Sequence, residues 1–449
     1  MSAATALTLA EAVDVVAREA RRAGSDRFDI EADESDRLGL DVFAGQVTKT
    51  DVSSLRGLSI RLFRGRRPGC ARTERLTVDA LRRTVTEASA QATLADEADL
   101  DLPEPAALPA VDLQVDDPTL DFVSLAQMKA LALHVETAAF EVDPRVENLP
   151  YLRVSRNRRS SIVCNSNGVL YQSRQGSTTA GVGAVARYGQ IRKMGIDTRG
   201  GRAFDYDAAS MARRAVERAV ELLDATPLAS GVYPVVFSHR VSPQLFGLFA
   251  SPFFAEAVHE GRSRLQGQIG RAIAVPEIAI VCDPLTPRAA GSYLFDSEGV
   301  PARTVHVVRD GVLQTYLSTL ASARATGVPP TGTGSRDESG AITTRLANYQ
   351  VGKGVRRLDD LLAAYSRCLY VVQLEGTAAC SAVSGEISIG AQGFMYERGR
   401  RTRPVDRVTI NTNFFDLLHR IRGLSDTYSD AFGNVFVPDV LVDGVHVSG

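Results

Sequence analysis

Two carboxylates flanking a hydroxyl mark the first place where this chain could do chemistry. Asp296-Ser297-Glu298-Gly299 offers an acid pair around a serine, the raw material for proton transfer or for an activated nucleophile. His306 is the one histidine near it in sequence, and the glycine with its flanking alternation favours a turn. Pro329-Pro330-Thr331-Gly332-Thr333-Gly334-Ser335 is a glycine loop with donors. It lacks the Gly-Lys-Ser/Thr ending that cradles a nucleotide phosphate, so it reads as a cleft loop. Gly181 to Ala186 holds half of a dinucleotide fingerprint without the third glycine and reads as a strand. No Gly-x-Ser-x-Gly elbow occurs, and the six histidines (His134, His239, His259, His306, His419, His446) are scattered, which leaves a serine hydrolase without support. The five cysteines (Cys70, Cys164, Cys282, Cys368, Cys380) form no Cys-x-x-Cys pair for zinc or redox work.

The stretch from Gly291 to Gly334, GSYLFDSEGVPARTVHVVRDGVLQTYLSTLASARATGVPPTGTG, resembles the TldD/TldE family, also called PmbA-like. Its members are two-subunit peptidases in which one subunit holds a metal and its paralogue does not. The resemblance covers the whole chain and is densest from Gly291 to Glu397. Ser381 to Glu386, Gly390 to Phe394, and Pro404-Val405 with Val408-Thr409-Ile410 are similar to the TldE/PmbA side.

In the catalytic paralogue, His-Glu-x-x-x-His on one helix presents two imidazoles and a glutamate base, and a thiolate ligand lies near the C-terminus. Gly267-Gln268-Ile269-Gly270 resembles the family's Gly-x-Ile-Gly segment, which places the metal helix near Phe246 to Ser251, where no ligand stands. Where the paralogue has Cys-Gly, this chain reads Ala431-Phe432-Gly433-Asn434, and phenylalanine cannot bind a metal. His259-Glu260-Gly261-Arg262-Ser263-Arg264 begins like the motif, but Arg264 stays protonated and is no ligand. That segment reads as a solvated helix end or loop.

The resemblance therefore implies a metal-free subunit, with no catalytic or metal residues and no cofactor of its own, that pairs with a TldD-like metallopeptidase subunit carrying the divalent metal. Together they would enclose short or unfolded peptides. Substrate or cleft candidates are Asp296, Glu298, Arg324, Gly332 and Gly334. The Asp-x-Glu-Gly segment occurs in both kinds of paralogue, which points to shared architecture. Two other classes stay open: a stand-alone hydrolase built around Asp296, Glu298 and Arg324, or a homodimeric peptide-binding protein without catalysis.

The 449 residues suffice for about three domains or two large ones. A net charge of -2 with a pI near 6.4 gives no basic face for a phosphate backbone, so nucleic acid is not an expected partner. Only Lys49, Lys129, Lys193 and Lys353 are lysines, a bias of GC-rich bacterial coding sequence. Met1 to Leu9 has neither the basic region nor the apolar core of a signal peptide, and no run approaches the ~18 apolar residues of a membrane helix. A soluble, cytoplasmic protein with reduced cysteines is expected.

The elements that must position any site follow from patterning. Thr8-Leu9-Ala10-Glu11 is a capping box, continued by Val13, Val16, Ala17 and Ala20 and stopped by Gly24. Phe28 to Ala71 alternates as strands, with hairpins at Ala44-Gly45 and Arg64-Gly65, and Val78, Leu81, Val85, Ala88 and Ala92 mark a second helix. Asp96 to Pro118 is acidic and proline-rich and is expected to run extended over the surface. The layout then repeats: a helix capped by Ser124 and Gln127 runs to about Glu141, strands turn at Asn167-Gly168 and Tyr188-Gly189, and Met211 to Leu222 closes. Gly57 to Gly65 aligns with Gly181 to Gly189, 124 residues on, as an internal pseudo-duplication. Beyond Thr226-Pro227 strands dominate: Val235–Phe237, Ile278–Cys282, Thr304–Val308, Tyr370–Leu374, Gly393–Glu397, Val405–Ile410 and Val435–Val437. The expected fold is α+β. A mixed α/β domain spans 1–227 with a linker at about 95–119, and a mostly antiparallel, barrel-like β domain flanked by helices spans 228–449.

Overall fold

Thr8 accepts from the Glu11 backbone while Glu11 accepts at 2.8 Å from the Thr8 backbone, and this reciprocal cap starts the first helix of the computed structural model, which describes residues 6–337 and 339–449. The first half runs α1 (Leu9–Arg22), β1 (Phe28–Phe43), β2 (Gln46–Arg64), β3 (Arg67–Thr73) and α2 (Val78–Leu94). It then repeats as α3 (Leu125–Val142), β4 (Val146–Asn165), β5 (Leu170–Tyr188), β6 (Ile191–Gly201) and α4 (Ala208–Val220). Its six strands form one sheet in the order β3-β2-β1-β4-β5-β6, antiparallel throughout, with β6 at one edge.

The duplication is physical. Equivalent residues Ser35 and Arg159 face each other across the β1–β4 pair, so a local twofold passes between them. The packing obeys it too. A Cβ on Gly69 of β3 would lie 2.0 Å from the Ala88 carbonyl of α2, and one on Gly195 of β6 would lie 2.2 Å from the Ala215 carbonyl of α4. In each half a bare strand residue lets a helix backbone press onto the sheet.

Period-two alternation divides the sheet's faces. Ile30, Ala32, Leu40, Val154, Ile162 and Cys164 pack beneath the helices. Asp29, Glu31, Asp33, Arg61 and Arg159 stand on the other face, toward the second half. The linker departs from the expected surface path, because Leu100 and Leu102 are buried against Phe63 and Leu113 is buried as well. Its leucines outweigh its acids and prolines.

The second half contributes β7 (Gly231–Phe237), α5 (Ser242–Leu248), α6 (Ala255–His259), β8 (Ile280–Cys282), β9 (Val305–Arg309), β10 (Val312–Leu313), α7 (Leu320–Thr326), β11 (Gly334–Arg336) and β12 (Ile342–Thr344). There follow β13 (Tyr349–Val351), α8 (Leu358–Leu362), β14 (Arg367–Glu375), β15 (Glu386–Glu397), β16 (Arg400–Asn413), α9 (Phe414–Arg420), β17 (Ile421–Leu424), β18 (Val435–Phe436) and β19 (Val440–Ser448). Strands β16-β15-β14-β7-β19 close into a five-stranded barrel through the β16–β19 pairing, with β17 added on β19. All its pairs are antiparallel except β7–β14. Closure removes the sheet edges and encloses Val235, Phe237, Ile389, Ile410, Val440 and Val442 in the main core. A smaller sheet, β10-β9-β8-β13-β18, lies beside it. The fold is α+β, as expected, with 40% strand overall and 23% helix. Among the described residues no helix is long and apolar enough to cross a membrane.

A cleft at the barrel mouth as candidate functional site

Where β7 ends, the chain turns through Ser238, His239 and Arg240 into α5, and one buried carboxylate organises the turn. Asp439 accepts from the His239 backbone at 2.9 Å, His239 Nδ1 at 3.1 Å, Ser425 Oγ at 2.7 Å and the Tyr370 hydroxyl at 3.3 Å. Burial works to raise the pKa of this carboxylate, but His239, Ser425 and the backbone donor outweigh it and hold it below the usual range. A group whose folded value is depressed stabilises the fold above its unfolded value and loses that contribution as pH falls. Asp439→Asn should therefore cost about 1–3 kcal/mol at pH 7, with the gap from the parent narrowing below about pH 4. Urea unfolding at pH 7 and at pH 3 checks this, and an equal deficit at both counts against it.

Arg240 projects from that turn into a cleft of about 400 Å³ whose walls include Gly195 to Arg199 of β6, Arg218 of α4 and Glu221 just after it, Gln244 of α5, and Ser429 to Ala431. A second lobe of about 270 Å³, lined by Arg240, Pro243, Gln244 and Ser429 with Gly433 to Phe436, adjoins it. The fold thus brings together the two segments that the sequence singles out. Helix α5 packs on β18, with a Cβ on Gly247 coming 3.7 Å from Val435. The Phe432 ring lies 5.3 Å beneath the Arg202 guanidinium and against Gly200. Phe246 and Phe249 point inward, where Phe249 stacks on Phe414 with centroids 4.7 Å apart.

Such positions offer no donor set for a metal. Among the described residues no group of three His, Cys, Asp or Glu side chains gathers in a metal-holding arrangement. His259 and Glu260 sit exposed at the end of α6, with Glu260 paired to Arg262 and Arg264 5.1 Å over the Phe415 ring.

The cleft is rich in guanidinium. Buried Asp197 receives Arg199 at 3.0 Å, Arg214 at 3.0 Å and Arg218 at 2.9 Å. Burial would raise its pKa, and the arginines pull it below the ordinary range instead. Arg218 is itself pulled down, first by burial and then by repulsion from Arg240.

Of the five candidates read from the sequence, four converge away from this cleft. Asp296 accepts from the backbones of Glu298 and Val300, both at 2.9 Å, and of Gly334 at 2.8 Å, which makes the Asp-Ser-Glu-Gly segment a turn. Burial and the neighbouring Glu298 hold Asp296 above the usual carboxylate range. Glu298 accepts from Arg61 at 3.0 Å and from the Leu320 backbone at 2.7 Å. Gly332 sits at φ 69° with its carbonyl accepting from Tyr293 at 2.8 Å. Arg324 stands apart on the surface, 2.6 Å from Asp99 of the linker. Glu298 therefore joins the two halves of the chain through Arg61, with Asp29 and Arg336 completing the seam, while Asp296 holds its own turn to Gly334 within the second half.

The cleft residues Arg240, Asp439, Asp197 and Arg218 were not visible as a site in the sequence. His239 and Asp439 are 200 positions apart, and neither belongs to a motif.

Comparison with known proteins follows this architecture. Three models match in succession: PmbA/TldA metallopeptidase domain 1 over 29–92, the central domain over 118–223, and the C-terminal domain over 230–449. The metalloprotease PmbA of Escherichia coli O157:H7 is 28% identical over 439 residues, covering 94% of this chain and 93% of that one. A metalloprotease TldD homolog from Haemophilus influenzae is 27% identical over 233 residues, 49% of this chain and 46% of its own. A Thermotoga maritima MSB8 crystal structure superposes with TM-score 0.89 at 25% identity, covering 98% of this chain and 100% of that one. TldE from Thermococcus kodakarensis shares the fold with TM-score 0.87 at 20% identity, covering 98% and 100%. With these domain models spanning most of its length, the chain belongs to the PmbA/TldD family.

Proposed function

We propose that this chain is the metal-free, peptide-binding member of a two-subunit peptidase, paired with a TldD-like metallopeptidase subunit that supplies the metal. One observation carries the proposal. At the two places where a catalytic paralogue needs ligands, this chain has packed phenylalanines, Phe246 and Phe249 on one side and Phe432 on the other, while the cleft beside them stays open. Phenylalanine offers a metal no lone pair, and none of the three could be swung free without emptying core or wall.

The cleft wall suits an extended peptide. Edge strand β6 pairs with no strand on its outer side among the described residues, and its residues Gly195 to Arg199, of which the Ile196 carbonyl accepts from Arg218, line the cleft. A peptide added there would gain main-chain hydrogen bonds, which give affinity with little sequence preference. Hydrolysis itself would fall to the partner, whose His-Glu-x-x-x-His residues would hold the metal and supply the glutamate base.

Co-expression with a chain carrying His-Glu-x-x-x-His is the test. A stable complex should elute together and bury more than the ~1,600 Å² of a standard interface, and elemental analysis should find metal in the complex but not in this chain purified alone. Separate elution at micromolar concentration would remove the pairing, and about one retained metal ion per isolated chain would remove the metal-free assignment.

A further inference from the structure

We propose that Arg240, with Arg218 behind it, forms a subsite that binds a carboxylate of the bound peptide, either the C-terminal α-carboxylate or an acidic side chain. The proposal rests on the peptide-binding role above and adds a specificity to it.

The charges around the cleft leave this guanidinium over. Arg199, Arg218 and Arg240 line the cleft with Asp197, Glu221 and Asp430, Arg214 and Arg401 reach two of these carboxylates from beyond its walls, and Asp439 at the root of the turn is taken up by His239, Ser425 and Tyr370. Each of the three carboxylates already holds another arginine: Asp197 takes Arg199, Arg214 and Arg218, Asp430 takes Arg199, and Glu221 takes Arg401 at 3.4 Å. Arg240 is half-buried, lines both lobes, and has neither an ion pair nor a side-chain hydrogen bond among the described residues. Its nearest charged influence on α4 is repulsive, since it disfavours the charge on Arg218.

Leaving a partly desolvated guanidinium uncompensated is costly, and a fork of five donors matches a carboxylate well. The base of the fork is fixed, because the His239 backbone next to it is held by Asp439 at 2.9 Å. Gly195 to Arg199 of the edge strand, whose Ile196 carbonyl is taken by Arg218, share the lobe with Arg240. A peptide running along that edge would carry a carboxylate to the guanidinium without moving the fold.

Fluorescence polarisation with three labelled ten-residue peptides tests this on the full chain, alone and in complex with a partner whose motif glutamate is changed to glutamine. One peptide has a free C-terminus and no acidic residue, the second is its C-terminal amide, and the third is the amide with one internal glutamate. The free acid, the glutamate peptide, or both should bind about tenfold or more tightly than the neutral amide. Whichever gains identifies the source of the carboxylate. Arg240→Gln should abolish that gain and leave the neutral amide unchanged, and Arg240→Lys should restore part of it. Equal affinity for all three peptides, or a gain that survives Arg240→Gln in a protein with parental thermal unfolding, overturns the subsite while leaving peptide binding intact. No binding of any peptide, alone or in complex, overturns the peptide-binding role and the subsite with it.

Discussion

Arg61→Met is expected to destabilise the fold by about 3–5 kcal/mol, the usual result of removing one partner from a buried ionic network. Arg61 bonds Asp29 at 2.7 Å and Glu298 at 3.0 Å, and both carboxylates are fully buried. Methionine fills the space but leaves Glu298 with only the Leu320 backbone donor and Asp29 with Arg336 alone. Because the bond to Glu298 spans 237 positions, the substitution loosens the two halves from each other as well as lowering total stability. Adding Glu298→Gln should recover a substantial share, since the uncompensated charge is the main cost. Urea midpoints at unchanged slope provide the measurement. A loss below about 1 kcal/mol would show that water reaches the seam and that these groups are solvated.

In the reconstituted pair, alanine at the partner's motif glutamate is expected to lower peptide hydrolysis by about 10² to 10⁴, the contribution of a positioned general base. Alanine at both His259 and Glu260 of this chain should leave it within a few-fold. These two residues are exposed at a helix end, Glu260 is occupied by Arg262, and Arg264 lies on Phe415 where a second imidazole would be required. Steady-state hydrolysis of a quenched peptide by the two variants, with complex formation verified, separates them. If the double substitution in this chain stops turnover while the pair stays assembled, the assignment of chemistry to the partner is wrong.

Local features were legible in the sequence because their causes are local. Both capping boxes form, Thr8 with Glu11 and Ser124 with Gln127. The Ala44-Gly45 turn has positive φ at both residues, 49° and 73°, as a tight hairpin of that hand demands. The pseudo-duplication was legible because Gly57 to Gly65 and Gly181 to Gly189 carry the same turn glycines 124 residues apart, and the structure adds the similar close packing at Gly69 and Gly195. Closure was not. Strand β19 alternates like any other strand, and nothing in Val440 to Ser448 says that it lies between β7 and β17 and also meets β16. The cleft escaped for the same reason, being assembled from β6, α4, the β7–α5 turn and the segment before β18. Asp296 and Glu298 stood out as an acid pair, but their partners Arg61 and Gly334 are what decide their role, and Arg61 lies in the other half.

The twofold between Ser35 and Arg159 bears on how such a chain could arise. Strand β1 meets β4 antiparallel from Asp29–Asn165 to Asp41–Arg153, the pairing that two separate copies of one helix–strands–helix unit would make with each other. Joining the copies would have required a tether between α2 and α3, with every interstrand hydrogen bond already in place. Once tethered, the copies were free to diverge. One came to carry Asp29 and Arg61 for the seam, and the other gave its outer strand, β6, to the wall of the cleft.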